Sequence, residues 1–577
     1  MKTQRPLPWE FLDAYRGKTF SGQWPTLPEL FSLTVARFPD HACFTVYEPE
    51  RRSLSYSEAS ALINAVARKL RSLGVGRGSK VAVTGKNSPE WAVAYLAALT
   101  AGGVVVPIDY QLSAAEIANL IRAGDASVLF CDEEKLVEIS ATCGNLSAVF
   151  SLAPGKPNYI YTLDAKDAPP VEPASETDLA AILFTSGTMG QPKGVMLTHR
   201  NFVSDCLQAQ GNLTVLSTDV FYALLPIHHS YTMLAVFIEA ISTGAEIVFG
   251  KRMVTKQILK DLKEAKITMF LGVPLLFNKV LAGIMKGVRE KGPIVFGLIR
   301  FLMFLSGLIK KVTHVNPGKK IFHSLLEKAS LSTIRNCISG GGPLAPAVFK
   351  RYNQLGIDFV QGYGLTETSP IITLNPTDAY RETSVGRIIP GVEMRVREPD
   401  ANGVGEICVK GSMVMAGYYK MPEETARVLS PDGWLSTGDL GYMDAENYVY
   451  LTGRAKNLIV TEGGKNVYPE EIENGFQLYD EVEQVLVCGY VQDEATRSEG
   501  IQAMLYPDVE RFKGEGENGV VDWPSVEKAL RKVVDEVNQK LLPYQRISKV
   551  TVLRERLAET TTKKVKRFAV EANAGTA

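Results

Sequence analysis

Between Tyr56 and Phe130 the chain switches repeatedly between two hydrophobic periods, and this switching restricts the fold more than any other feature. The run SEASALINAVARKLRSLG carries apolar residues at a period near 3.6 and stops at Gly74, which predicts an amphipathic helix. KVAVTG has strand length, PEWAVAYLAALTAGG is helical again, and VVVPID and SVLFCD are further strands. Strands joined by helices of this length form parallel sheets, because a parallel neighbour is reached only through a crossover. The stretch from Pro154 to Glu176 holds five prolines and is expected to be a loop or crossover; a second α/β run follows from Leu179 to about Leu276. From Gly386 to Tyr450 short β segments alternate with turn signals (REPDANGVG, SPDGW, DAENY), which predicts a small β unit. A chain of 577 residues is too long for one core. The expectation is therefore an α/β protein with a large N-terminal domain over residues 1–455 and a small α+β C-terminal domain over 456–577. Within the large domain, α/β subdomains are expected over about 27–180 and 181–385, and a β-barrel-like subdomain over about 386–450.

Charge and cysteine usage narrow the function classes. Lys and Arg number 63, as do Asp and Glu, which argues against an electrostatic nucleic-acid binder. The seven cysteines are scattered, with none of the close pairs of a zinc or redox motif, and their odd count fits a reducing compartment. The N-terminal MKTQRPLPWEFLDAYRG lacks the apolar core of a signal peptide, so a cytoplasmic location is expected. The segment IVFGLIRFLMFLSGLI, Ile294 to Ile309, carries Arg300 in its middle and falls short of the roughly 20 residues that span a bilayer. A buried helix is expected there; the alternative is a helix that touches a membrane surface peripherally or lines an apolar pocket.

The densest chemical signal is AAILFTSGTMGQPKGVMLTHRN, Ala180 to Asn201. An apolar strand runs into Thr185, Ser186, Gly187, Thr188, Gly190, Lys193 and Gly194, and Thr198 is positioned to cap a helix from His199. Glycines let backbone N–H groups converge on one anion, while hydroxyls and a lysine add donors and charge, as a polyphosphate requires. No GxxxxGK[ST] is present, which disfavours a P-loop enzyme. QGYGLTET, Gln361 to Thr368, sets an aromatic beside a hydroxyl and a carboxylate, able to stack a base, hold a phosphate and bind Mg²⁺. ISGGGPL, with Gly340, Gly341 and Gly342, permits close approach of a flat ligand or simply makes a tight turn. Asp439 in STGDLGYMD can accept from ribose hydroxyls, and Arg454 in LTGRAKN can approach a ribose or phosphate oxygen. His228 and His229 in LLPIHHSYTM lack an evident third metal ligand, which leaves a pocket-lining or structural role. In LAETTTKKVKRFAV, Leu557 to Val570, a cluster of cations follows three threonines; alone it reads as a solvated tail.

TSGTMGQPKG matches, at nearly every position, the signature loop of the adenylate-forming superfamily of acyl-CoA synthetases, carrier-protein-linked adenylation domains and beetle luciferases. The chain resembles this superfamily from roughly Leu27 to Phe568, with the other stretches in the expected order, and is most similar to bacterial medium- and long-chain fatty acyl-CoA synthetases. The resemblance implies that Thr185, Ser186, Gly187, Thr188 and Lys193 hold the phosphates of ATP, and that Gly341, Gly342 and Tyr363 flank adenine. It implies that Thr366 reaches the α-phosphate, that Glu367 helps bind Mg²⁺, and that Asp439 and Arg454 bind the ribose. His229 falls near the acyl pocket, Lys456 at a hinge about which the small domain moves, and Gly463 and Gly464 along the pantetheine tunnel for CoA. The family closes on Pro-x-Thr-x-x-Gly-Lys-x-x-Arg, which makes Lys564 the lysine that contacts carboxylate and α-phosphate. Here Ala558 stands for the proline and Lys563 for the glycine, which leaves Lys563 as the alternative cation.

The implied activity is an ATP-dependent acid–thiol ligase that uses ATP, Mg²⁺ and CoA. A medium- or long-chain fatty acid is the favoured substrate, because the segment between Val280 and Arg335 is long, apolar and basic at its ends, like that of long-chain synthetases. An aryl or alicyclic acid, a carrier protein as acceptor, a luciferase-like oxygenase and a non-catalytic binding protein are the alternatives.

Overall fold

The computed structural model describes residues 7–143, 146–185, 192–251, 254–461, 465–493, 498–512, 521–559, 565 and 567. The predicted alternation is present: helix Tyr56–Ser72, strand Lys80–Thr84, helix Pro89–Thr100, and strands Val104–Ile108 and Ala126–Cys131. The first helix starts where Ser55 accepts from the Glu58 amide while the Glu58 carboxylate caps back, and it ends just before Gly74, whose φ is +83°. Strand Val104–Ile108 is buried along its whole length, the pattern of a parallel strand covered on both faces.

Seven strands form one sheet in the order Gly417–Tyr418, Lys193–Thr198, Leu179–Thr185, Val104–Ile108, Lys80–Thr84, Ala126–Cys131 and Ala148–Ser151. The last five of these are mutually parallel. A second sheet of thirteen strands has a parallel centre, from Ala42–Val46 through Glu246–Phe249, Val220–Ala223, Met269–Gly272 and Asn336–Ser339 to Asp358–Gly364. It then continues antiparallel through Ile371–Leu374 and Gly386–Ile388 into the segments near residue 450.

The expected division of the α/β subdomains at 180/181 does not follow the sheets. Ala42–Val46, from the first half, pairs with Glu246–Phe249 of the second sheet, while Leu179–Thr185 and Lys193–Thr198 complete the first. The β unit over 386–450 is likewise continuous with the second sheet instead of closing on itself. Periodicity identifies a strand but not its neighbour; partner choice depends on which faces are buried between distant elements.

Residues 459–552 carry a core of their own, including Ile459, Val467, Phe476, Leu505, Leu530 and Val534, around strands Val482–Asp493, Ser498–Pro507 and Lys549–Val552 and helix Trp523–Asn538. This unit touches the larger part through Gln477, which donates to the Pro343 carbonyl (2.9 Å) and accepts from the Ala345 amide (2.8 Å).

The apolar segment expected to be a buried helix is different. It forms the 21-residue helix Pro293–Thr313, and its buried residues are Met303, Ser306 and Lys310. Ile294 is 86% exposed and Val312 71%. The helix packs on Pro274–Arg289 and Pro346–Gln354, which cover one side only. Hydropathy reports that a helix is apolar, not which of its faces finds a partner.

Candidate active site

A cavity of about 560 Å³ opens where the two sheets meet, at the C-terminal ends of several parallel strands. Thr185 and Lys193 reach it from paired strands, in which they face each other across the ladder, and the Thr185 hydroxyl donates to the Lys193 carbonyl at 3.4 Å. Ser186, Gly187 and Thr188, between them in sequence, lie outside the described residues. Beyond that hairpin Thr198 caps the helix His199–Ala209, accepting from the Asn201 amide. The Lys193 ammonium lies 2.6 Å from Glu424 and 4.9 Å from the centre of the Tyr418 ring.

Tyr363, Asp439 and Arg454 form one connected group. The Tyr363 hydroxyl donates to Asp439 Oδ2 at 2.7 Å, and Arg454 Nε forms an ion pair with Asp439 Oδ1 at 2.9 Å. The strands Leu435–Met443 and Tyr448–Arg454 pair Asp439 with Arg454 in register, so the ladder sets this contact. Asp439 raises the Arg454 pKa, while burial and then the same carboxylate push the Tyr363 phenol well above its ordinary value, keeping it a donor. Gly364 is required beside Tyr363: a Cβ there would sit 1.5 Å from the Pro370 carbonyl oxygen. Gly341 lines the same cavity at φ +77°, a conformation that favours glycine, and Gly342 follows it with only Pro274 near its missing Cβ.

Glu367 accepts from the Tyr418 hydroxyl at 2.8 Å, and the Thr366 and Ser230 hydroxyls are 3.1 Å apart. Both Thr366 and Glu367 line the cavity. Among the described residues no cluster of three or more His, Cys, Asp or Glu could by itself hold a metal. Glu367, a carboxylate facing the cavity, fits a Mg²⁺ ion that keeps waters and takes substrate phosphates as its other ligands.

One stretch of the wall is apolar, with Ala209, Leu213, Val215, Phe221 and Met269. His229 lines the cavity and its carbonyl accepts from the Met233 amide, leading into a π-helical turn, Met233–Ile238. The neighbouring His228 is held neutral by burial, against the opposing pull of Asp109 3.8 Å away. One polar group interrupts the apolar wall. Glu239 is buried, accepts from the Gln210 amide at 2.8 Å, and has its carboxyl pushed up by burial to about 8.

Sequence reasoning missed Tyr418, Glu424, Ser230 and Glu239. The first two sit in AGYYKMPEET, whose paired tyrosines and acidic residues suggest an exposed turn until the strand Gly417–Tyr418 is seen adding to the edge of Lys193–Thr198. Lys456 lines the cavity from a short turn, Ala455–Asn457.

Gly463, Gly464, Lys563 and Lys564 lie outside the described residues. The described neighbours of Lys564 are held by the C-terminal unit. Glu559 forms a bridge with Val565 and accepts from Gln484 at 2.5 Å, while Arg567 donates to Glu473 at 2.5 Å and to the Val487 carbonyl at 2.7 Å. Burial pushes Glu473 up to about 7, and Arg567 opposes that shift. Glu559 and Val565 also line a second cavity, of about 1160 Å³, whose far wall includes Gly341 and Gly342.

A family profile described as AMP-binding enzyme matches residues 31–419. The long-chain-fatty-acid–CoA ligase ACSBG2 of Gallus gallus is 28% identical over 486 residues, 78% of this chain and 63% of that protein. The feruloyl-CoA synthase of an Amycolatopsis species is 28% identical over 502 residues, 86% of this chain and 90% of its own. Among solved structures, ATP-bound MatB from Rhodopseudomonas palustris is 27% identical, with a TM-score of 0.75 over 95% of this chain and 99% of that one.

Proposed function

We propose that the chain, which belongs to the AMP-binding enzyme family, is an AMP-forming acyl-CoA synthetase whose acid is a medium- or long-chain fatty acid. The observation that carries the proposal is a single cavity that joins the Tyr363–Asp439–Arg454 group and Glu367 to an apolar wall. In this reading Gly341, Gly342 and Tyr363 flank adenine, Asp439 and Arg454 hold the ribose, and Thr185, Lys193 and Thr366 face the phosphates with Ser186, Gly187 and Thr188.

A carboxylate is a poor electrophile because it would have to expel oxide. Its oxygen therefore attacks the α-phosphorus of ATP, the bond to the β-phosphate oxygen breaks, and pyrophosphate leaves. The CoA sulfur then attacks the carbonyl carbon, AMP leaves with both electrons of the anhydride bond, and the thiol proton goes to solvent. Bringing two anions together demands cations and donors positioned before reaction. Lys193 and Lys564 supply charge, Thr366 supplies a hydroxyl, and Glu367 would hold the Mg²⁺ that offsets phosphate charge. Lys193 pairs with Glu424, so a phosphate has to compete for it. Rotation of the C-terminal unit about Lys456 would exchange Lys564 for the tunnel along Gly463 and Gly464, with His229 at the acyl side. A location in a reducing compartment is the reading suggested by seven scattered cysteines, six of them buried.

Each buried CH₂ of an acyl tail contributes roughly 0.8 kcal/mol, so an apolar wall rewards length. The relative named for feruloyl-CoA and the ring of Phe221 favour an aryl acid as the second reading. Pyrophosphate release across fatty acids of graded length and across cinnamic and benzoic acids separates the two. A kcat/KM that rises with aliphatic chain length supports the proposal; preference for an aryl acid overturns it.

A further inference from the structure

The Pro293–Thr313 helix turns its apolar side outward. Ile294, Leu298, Phe301, Phe304, Leu308 and Val312 are between 49% and 86% exposed. Most are spaced three or four residues apart, so they form a single stripe along the helix. The side packed on the protein carries Phe296, Ile299, Leu302 and Met303 together with the buried polar Ser306 and Lys310, so a second, separate apolar face is left to solvent. A contiguous apolar surface of this size marks a contact with something apolar.

Charge identifies the partner. From Lys286 to Lys328 the chain has nine Lys and Arg against two Glu, in a protein whose net charge is zero. Arg300 and Lys311 flank the stripe on the helix itself, and Lys320 is exposed shortly after its end. A second copy of this chain would set those cations against one another; an anionic bilayer surface satisfies both the charge and the stripe.

Length alone would let the helix cross a membrane, since 21 residues extend about 31 Å. Its attachment rules this out. The buried Lys310 ammonium donates to Asn353 at 2.7 Å and to Asp358 at 2.6 Å, and Asp358 belongs to a strand of the second sheet. We infer that the Pro293–Thr313 helix docks this protein onto anionic membranes, lying flat with its apolar stripe among the acyl chains and its flanking cations among the headgroups.

The test is flotation of the full chain with phosphatidylcholine vesicles, with and without phosphatidylglycerol at about one lipid in four. The protein should float with the anionic vesicles at least about tenfold better than with neutral ones, and less well as salt rises. Replacing Leu298, Phe301 and Leu308 together by Ser should abolish flotation while leaving acid activation in vesicle-free buffer unchanged. Lys311→Glu with Lys320→Glu should remove the anionic preference. As an independent readout, Phe304→Trp in the full chain should be quenched by brominated lipid. A wild-type protein that stays in the aqueous phase with both vesicles overturns the inference. So does one that sediments as an oligomer through this stripe, with the triple Ser variant monomeric.

Discussion

Glu239 is a carboxyl group placed among apolar side chains, and its titration has a definite sign. Its folded pKa of about 8 lies above the ordinary 4.5, so in rising pH the unfolded chain releases the proton first. Stability is therefore greatest below about pH 4.5 on this group's account and falls by about 1.4 kcal/mol per pH unit up to about 8. Glu239→Gln keeps an acceptor for Gln210 and removes the slope. Thermal unfolding of the variant should be less dependent on pH between these limits, and its advantage over the wild type should grow toward pH 8. Equal slopes for the two proteins would contradict the assignment. Glu367 gives a second residue-scale prediction. Glu367→Gln keeps an acceptor for Tyr418 but loses the charge, and should slow pyrophosphate release by about 10²–10³-fold. A variant within about twofold of wild type would remove Glu367 from the reaction. Tyr363, Thr366, Asp439 and Arg454 were legible in the sequence through the family motifs that carry them, and the structure brings them together. Glu239 was not, because one acidic residue in VFIEAIS matches equally an exposed helix position.

At the scale of elements, the chain ends the site with a segment whose register decides the chemistry. Glu559, Val565 and Arg567 are tied to the C-terminal unit on both sides of Lys564. We expect Lys564→Ala to slow adenylate formation by about 10²-fold or more while sparing thioester formation from supplied acyl-adenylate. If Lys563→Ala shows that split instead, the register moves by one residue. Single-turnover assays of each half-reaction measure it. Period and caps identified many elements correctly, down to the Thr198 cap, because these depend on neighbours within a few positions. The Pro293–Thr313 helix shows where such reading stops: its apolar residues predicted burial, and its outer face has none. What covers a face depends on elements far away in sequence.

For the whole molecule, alternation established an α/β protein, but the allocation of strands between sheets was not legible. Ala42–Val46 crosses to the second sheet, and Leu179–Thr185 returns to the first. That exchange brings the Thr185–Lys193 hairpin and the Tyr363–Glu367 turn to one cavity, with Arg454 and Lys456 at its edge where the C-terminal unit begins. The central claim is that this cavity makes an acyl-adenylate and hands the acyl group to a thiol. The most direct measurement is a single turnover of enzyme with a fatty acid and ATP, quenched before and after CoA is added. Acyl-AMP and pyrophosphate should appear in equal amounts without CoA, and acyl-CoA and AMP should replace acyl-AMP once CoA is present. Release of ADP, or an acyl-AMP that CoA leaves untouched, would contradict the account.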